Sequence, residues 1–178
     1  DPDVRVELRE GTLETLAGWL GRGRIDMALT VLDGEPDRDQ SQVLYRTKYV
    51  LLVAGGHPFA RRKSVRLAEL HDQPFIVRTH CETMSEAKRL FAEQQVRPKI
   101  VCRTDQDERA IALVGEGFGL AIVPDLFSAP KVVQLPIIGL SLNRTIGLHW
   151  INEAKDEALD LFRTFAASHD WRPEGAAS

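Results

Sequence analysis

Several features that mark specialised classes of protein are scarce in this sequence. Its 178 residues include only two cysteines, Cys81 and Cys102, too few for the disulfide framework of a small secreted domain. No apolar run approaches the roughly 20 residues of a membrane-spanning helix, and the acidic residues 1–5 do not have the pattern of a signal peptide. These absences predict a cytoplasmic protein that has no contact with a membrane.

An excess of positive charge is also missing. The chain has 23 basic and 26 acidic residues, a formal net charge of -3 and a pI near 6.0. This balance does not favour nucleic acid as a partner of this chain. The remaining composition, 43% hydrophobic and 28% charged, is that of an ordinary globular protein. The length allows one domain, or two small lobes that share a core.

Apolar periodicity predicts a strand, a helix and a second strand near the start of the chain. Apolar and charged residues alternate over residues 4–8, which indicates a half-buried strand. Thr12 is a plausible N-cap for the following helix, whose apolar residues fall on one face. Residues 25–29 predict the next strand. A strand, a helix and a strand within about thirty residues form a βαβ unit, which implies a parallel sheet.

Further strands and helices follow. The continuous apolar run over residues 49–54 predicts a strand covered on both faces. Thr104, together with Asp107, predicts the N-cap of a helix that runs to residue 114. The last helix, over residues 153–168, is predicted to turn Ala158, Leu161, Phe162 and Phe165 inward. The other predicted elements are a helical turn over 67–70, a helix over 85–94, and strands over 75–77, 100–102, 120–123, 132–135 and 145–150. The predicted fold class is α/β.

The usual sequence signals of catalysis are weak or missing. Gly115, Gly117 and Gly119 resemble a phosphate-binding loop, but here a helix precedes a strand, whereas such a loop needs the reverse order. The three glycines therefore indicate a helix end and a tight connection. The five histidines are scattered, and no Cys-x-x-Cys or Gly-x-Ser-x-Gly motif occurs. We expect no enzyme activity, no metal and no cofactor.

One cluster of polar residues is a candidate binding site. Arg78, Thr79 and His80 follow the buried strand over 75–77 and precede a helix, a position where ligands collect in α/β sheets. Their side chains suit a carboxylate or another small anion. Thr12 and Thr104 follow other predicted strands in the same way. Each threonine could equally be only a helix cap, and Arg78 could form only a surface salt bridge.

The segments together resemble the effector-binding domain of LysR-type transcriptional regulators. Each motif is weak alone, but the order and spacing cover nearly the whole chain. The matching segments are Asp3-Val4-Arg5-Val6-Glu7-Leu8-Arg9-Glu10-Gly11-Thr12, residues 20–29, His57-Pro58-Phe59-Ala60, Pro74-Phe75-Ile76 and residues 114–124.

The resemblance implies two Rossmann-like α/β lobes of the periplasmic-binding-protein type 2 kind, with a small effector in the cleft between them. The lobes are expected to be residues 1–46 plus 137–178, and residues 47–136. The family's winged helix-turn-helix lies upstream of this domain and is not in these residues, so DNA is expected to be contacted only through that domain. A homodimer or homotetramer is implied for the full-length protein. By position, Thr12, Arg78, Thr79, His80 and Thr104 match places where relatives contact effector.

The resemblance is incomplete at the start of the chain, and other classes stay open. Family members usually have one more strand and helix before the segment that resembles residues 4–11. A periplasmic solute-binding protein would share the lobed fold. A redox-sensing regulator would use Cys81, since His80 and a helix N-terminus favour a reactive thiolate. Peroxide-sensing members also carry a partner cysteine shortly afterwards, and the helix that follows Cys81 has none. Oxidation would then give a sulfenic acid or a mixed disulfide.

Overall fold

A computed structural model describes residues 5–32, 37, 39–79, 83–125, 129–151 and 157–171. These residues form four α-helices and nine strands. In chain order the elements are α1 (Leu13–Gly21), β1 (Ala28–Leu32), β2 (Ser41–Ala54), β3 (Val65–Arg66), β4 (Pro74–Arg78), α2 (Met84–Glu93), β5 (Lys99–Thr104), α3 (Asp107–Gly115), β6 (Ala121–Pro124), β7 (Val132–Leu135), β8 (Ile137–Ile138), β9 (Asn143–His149) and α4 (Glu157–Ser168). Two short 3₁₀ helices, Pro58–Arg61 and Leu67–Leu70, lie between β2 and β4. None of the helices in the described ranges is both long enough and apolar enough to cross a membrane.

The chain divides into two compact units. The first contains Asp1–Arg46 and Arg144–Ser178, and the second contains Thr47–Asn143. In the first unit, β9 pairs with β1 in antiparallel register and is also a neighbour of β2. Leu148, Trp150 and Ala166 form its buried centre. The Trp150 indole Nε1–H donates a hydrogen bond to the carbonyl oxygen of Asp39 at 3.0 Å, which satisfies the polar edge of this buried ring.

The start of the first unit differs from the prediction. Residues 5–10 are not a strand, and the side chains of Val6 and Leu8 are 74% and 85% exposed. Within the described residues, no strand pairs with this segment, so alternation alone could not make it one. The predicted strand over 25–29 lies instead at Ala28–Leu32. The predicted parallel βαβ unit is wrong, because β1 pairs antiparallel with β9 from the other end of the sequence.

The last helix also buries a different face from the one predicted. Leu161, Phe162 and Phe165 are 57%, 43% and 63% exposed, whereas Ala166 is buried and Ala158 is half-buried. The predicted inward face of α4 is therefore wrong for its three large residues. Helical spacing shows which side chains share a face, but it does not show which face meets the rest of the unit. The predicted first residues of this helix, 153–156, lie outside the described residues.

The second unit is built around the last part of β2. Residues Leu51, Leu52 and Val53 are fully buried, as the continuous apolar run predicts, and this part of β2 pairs antiparallel with β6 and β7. β4 and β5 form a separate parallel pair, and β3 pairs with β8 in the same sense. The predicted helical turn, β4, α2, β5, β6 and β7 are all confirmed to within a few residues.

The three glycines after α3 make a tight connection into β6, as predicted. Gly117 has a φ of +79°, in the left-handed region that favours glycine. Gly119 has no room for a side chain, because a Cβ there would lie 2.9 Å from the carbonyl oxygen of Pro74. This close approach allows the amide of Leu120 to donate a hydrogen bond to that oxygen at 2.8 Å. The connection therefore joins β6 to β4.

A histidine caps the first 3₁₀ helix and makes stability dependent on pH. The ring Nδ1 of His57 accepts a hydrogen bond from the backbone N–H of Phe59 at 3.1 Å. Burial lowers the pKa of this ring below its ordinary value of 6.5. As the pH falls through about 6.5, the unfolded chain takes up the proton first, so the free energy of unfolding is expected to decrease toward the lower folded pKa.

His57→Asn separates the cap from the titration, since asparagine is a good N-cap acceptor and does not titrate. Chemical denaturation of both proteins between about pH 7.5 and 5 is expected to show wild type losing stability relative to the variant as the pH falls. A constant difference between the two proteins over that range would contradict the prediction.

Candidate functional site

The two faces of the β4–β5 pair carry different chemistry. On one face, Ile76 and the half-buried Cys102 pack with residues of α3. On the other face, Phe75 and Val77 pack against the cluster that includes residues of α2. Because side chains alternate along a strand, Arg78 shares the face of Ile76 and is directed toward α3. The predicted site therefore begins on the α3 face of this pair.

Arg78 is held by an acidic residue at the start of α3. Its Nε donates to Asp107 Oδ1 at 2.5 Å and its Nη2 donates to Asp107 Oδ2 at 2.7 Å. The Arg78 side chain is only 7% exposed, whereas that of Asp107 is 32% exposed. Such a two-point pair fixes the plane of the guanidinium as well as its position. Asp107 is also well placed for its own charge, since it lies in the first turn of a helix.

Thr79 and Thr104 meet where the two parallel strands end. The backbone N–H of Thr79 donates to the carbonyl oxygen of Thr104 at 2.8 Å, and the Thr79 hydroxyl lies 3.3 Å from the same oxygen. Thr79 is exposed, and Thr104 is buried. Three of the predicted residues, Arg78, Thr79 and Thr104, are therefore neighbours at one edge of the sheet. We call these three residues the turn cluster.

Thr104 does not cap α3 in the predicted way. The N-cap is Gln106, whose side chain makes no capping hydrogen bond. The Thr104 hydroxyl instead accepts a hydrogen bond from the N–H of Gln106 at 3.2 Å, which closes the turn just before the helix. The predicted N-cap, Thr104, is two residues too early, because α3 begins at Asp107. The carboxylate of Asp107 is bound to Arg78 and takes no part in a capping box.

Thr12 belongs to the first unit. It is the N-cap of α1, as predicted, and its hydroxyl accepts from the N–H of Thr15 at 3.2 Å and lies 2.9 Å from the Thr15 hydroxyl. Its side chain is exposed. The capping role is thus observed, and a role in binding stays a prediction.

His80 and Cys81 lie outside the described residues, so their predicted roles in binding and redox sensing stay predictions. Cys102 has a free thiol, and its sulfur lies 3.7 Å from the carbonyl oxygen of Arg103. Among the residues described, no group of three or more histidine, cysteine, aspartate or glutamate side chains could hold a metal ion.

Asp107 has a role in the site that its sequence context does not indicate. The sequence predicts that Asp107 helps to cap α3, but its carboxylate binds Arg78 across 29 positions of the sequence. The available signal was topological. An arginine that ends one strand and an acid that begins the helix after the next parallel strand come to the same edge of a sheet.

The fold places the chain among ligand-binding α/β domains of the periplasmic-binding-protein type 2 kind. It is similar to the C-terminal domain of a probable LysR family transcriptional regulator from Rhodococcus sp. RHA1, with a TM-score of 0.79, 25% identity, and coverage of 94% of this chain and 86% of that one. The effector-binding domain of QuiR, solved in complex with shikimate, has the same fold, with a TM-score of 0.66 and 23% identity over 88% of this chain and 77% of that one.

The sequence comparison identifies the family. The model of the LysR substrate binding domain matches residues 1–171, and the chain belongs to this family. The HTH-type transcriptional regulator YybE of Bacillus subtilis strain 168, itself uncharacterized, is 23% identical over 172 residues, which cover 94% of this chain and 59% of that protein. The chain spans between half and three fifths of the length of the first curated relatives that it matches.

Proposed function

We propose that this chain is the ligand-sensing domain of a LysR-type DNA-binding transcriptional regulator, and that it binds a small anionic effector to control transcription. The family match over residues 1–171 is the observation that carries the regulatory part of this proposal. The full-length regulator acts in the cytoplasm as a homodimer or homotetramer and contacts DNA through its helix-turn-helix domain. The two compact units correspond to the two lobes of the family.

The turn cluster supports an anionic effector. Ligands of α/β sheets bind outside the carboxyl ends of the strands, and Thr79 and Thr104 lie at the ends of the adjacent strands β4 and β5. The exposed Thr79 hydroxyl can contact a carboxylate, and the guanidinium of Arg78, which Asp107 holds in place, lies at the same edge of the sheet. The shikimate bound to the related QuiR domain is a carboxylate, which supports the same class of ligand for this chain.

A thermal-shift screen tests the proposal. We expect one member of a panel of small carboxylates, aromatic acids, amino acids and sulfate to stabilise the chain, by about 2.7 kcal/mol at a concentration 100 times its dissociation constant. Stabilisation by the same panel is also measured for the alanine variants of Thr12, His80 and Thr104. Failure of every anion in the panel to raise the melting temperature would contradict an anionic effector.

Variants of the turn cluster then locate the ligand. Thr79→Val removes one hydroxyl at nearly constant volume, and Arg78→Ala removes a charged hydrogen-bonding group worth about 1.5–3 kcal/mol, so Arg78→Ala is expected to weaken binding at least tenfold. The matched control is Thr164→Val, because the Thr164 hydroxyl also donates to a backbone carbonyl oxygen, that of Asp160, on the surface of α4. Equal affinity in all three proteins, measured by calorimetry, would remove the turn cluster from the site.

A further inference from the structure

A cavity of about 470 Å³ lies between α2 and the face of the β4–β5 pair opposite to α3. Apolar side chains from four parts of the second unit line it: Phe75, Val77, Ala87, Phe91, Ile122 and Leu142. Close-packed cores hold few voids larger than a water molecule, whereas small-molecule sites typically measure about 300–1,000 Å³. The size and the lining are those of a ligand site.

The charged side chains that line this cavity, among the described residues, are all basic. The described lining residues include four basic side chains and no acidic one. One of the four, Arg78, is directed to Asp107 on the other face of the sheet. The other three, Lys88, Arg97 and Arg103, are exposed, and among the described residues none of them forms an ion pair. An anionic group at the rim would therefore be attracted by charges that the described part of the protein does not neutralise.

We propose that this cavity is a second ligand site, which binds a monocarboxylate with an apolar body. The apolar body lies against Phe75 and Phe91, and the carboxylate lies at the rim beside Lys88 and Arg103. Arg103 is next to the last residue of β5 and Lys88 lies in the second turn of α2, so both belong to the end of the cavity where the two strands end. The site differs from the turn cluster: Arg78 borders both, but the hydroxyls of Thr79 and Thr104 lie at the strand ends and are not among the lining residues of the cavity.

The two methionines of the chain make a direct test possible. Met84 lines the cavity, whereas Met27 packs in the core of the first unit. With the methionine methyl groups labelled with carbon-13, the spectrum contains one signal from each unit. Titration with octanoate is expected to move the Met84 signal and leave the Met27 signal in place. Acetate, which has the carboxylate but almost no apolar body, and octanol, which has the body but no charge, are expected to bind at least about tenfold more weakly.

Three variants locate the octanoate. Ala87→Phe fills the cavity from α2 and is expected to abolish the movement of the Met84 signal. Lys88→Gln removes a rim charge and is expected to weaken octanoate binding about fivefold, as for loss of one partly exposed ionic contact. Arg89→Gln makes the same change of charge at the next residue of the helix, where the side chain pairs with Glu93 instead of lining the cavity, and is expected to bind octanoate like wild type.

Several results would overturn this proposal. They are an unmoved Met84 signal at millimolar octanoate, equal binding of octanol and octanoate, or octanoate binding that survives Ala87→Phe in a variant with the wild-type circular dichroism spectrum. An equal loss in Lys88→Gln and Arg89→Gln would also overturn the assignment of the rim charge. Thr79→Val separates the two sites, because it is expected to weaken the ligand of the turn cluster and leave octanoate binding unchanged.

Discussion

Replacing Asp107 with alanine is expected to lower the free energy of unfolding of the second unit by about 3–5 kcal/mol. The reason is that the buried guanidinium of Arg78 loses the carboxylate that it binds. Arg78 is 7% exposed, and the two hydrogen bonds to Asp107 neutralise its charge inside the protein. Removing the carboxylate leaves a buried guanidinium without that neutralisation, which is more costly than the ion pair is favourable. The loss should appear in urea denaturation followed by circular dichroism.

Replacing Arg78 instead of Asp107 is expected to lower the free energy of unfolding by less. In Arg78→Met, the remaining carboxylate of Asp107 is 32% exposed and lies in the first turn of α3, where water and the helix dipole can both stabilise it. Glu108→Ala is the matched control, because it removes an acid from the same helical turn. If Asp107→Ala loses no more stability than Glu108→Ala, the pair does not stabilise the fold.

Gly147→Ala is expected to destabilise the first unit by more than about 3 kcal/mol, beyond the usual cost of overpacking a core. Gly147 lies in β9, opposite Thr30 of β1. An added Cβ would overlap the backbone carbonyl oxygen of Gln42 and the side chain of Leu32. A carbonyl oxygen inside a sheet cannot move away alone, so the strand itself would have to shift.

Tryptophan fluorescence measures this effect in the first unit, because all three tryptophans, at positions 19, 150 and 171, belong to it. Gly21→Ala is the control in the same unit, since a Cβ there meets nothing within 4 Å, and it is expected to leave the denaturation midpoint unchanged or raise it slightly. Similar midpoints for Gly147→Ala and Gly21→Ala would show that the sheet accommodates the added methyl group.

The sequence predicted best those elements whose signals are local. The N-cap Thr12, the buried run in β2 and the amphipathic helix α2 each depend on residues within about a dozen positions. The family and the α/β fold followed from the order of such segments. The sequence also allowed Arg78, Thr79 and Thr104 to be placed at one edge of a sheet, because consecutive strands joined by a helix are usually parallel neighbours.

The failures concern pairing between distant parts of the chain. The alternation over residues 5–10 does not specify a partner strand, and the described residues provide none. β1 takes β9 as its partner, more than one hundred positions away. Because local patterns do not specify distant contacts, the sequence does not indicate the pairing of Arg78 with Asp107. For the same reason it predicts a buried position for the face of α4 that is exposed. Periodicity describes one element at a time, and these contacts depend on which elements meet.

The glycines of the connection after α3 are required for two different physical reasons. Gly117 is required by its backbone angle, whereas Gly119 is required by the nearness of Pro74. Substitutions at the two positions should therefore be tolerated differently during evolution. Asparagine, which also adopts left-handed angles, is an acceptable replacement for Gly117 in a homologue, but any side chain at Gly119 demands that the strand at Pro74 move. A related sequence that has asparagine at the first position and glycine at the second would keep the same link between β4 and β6.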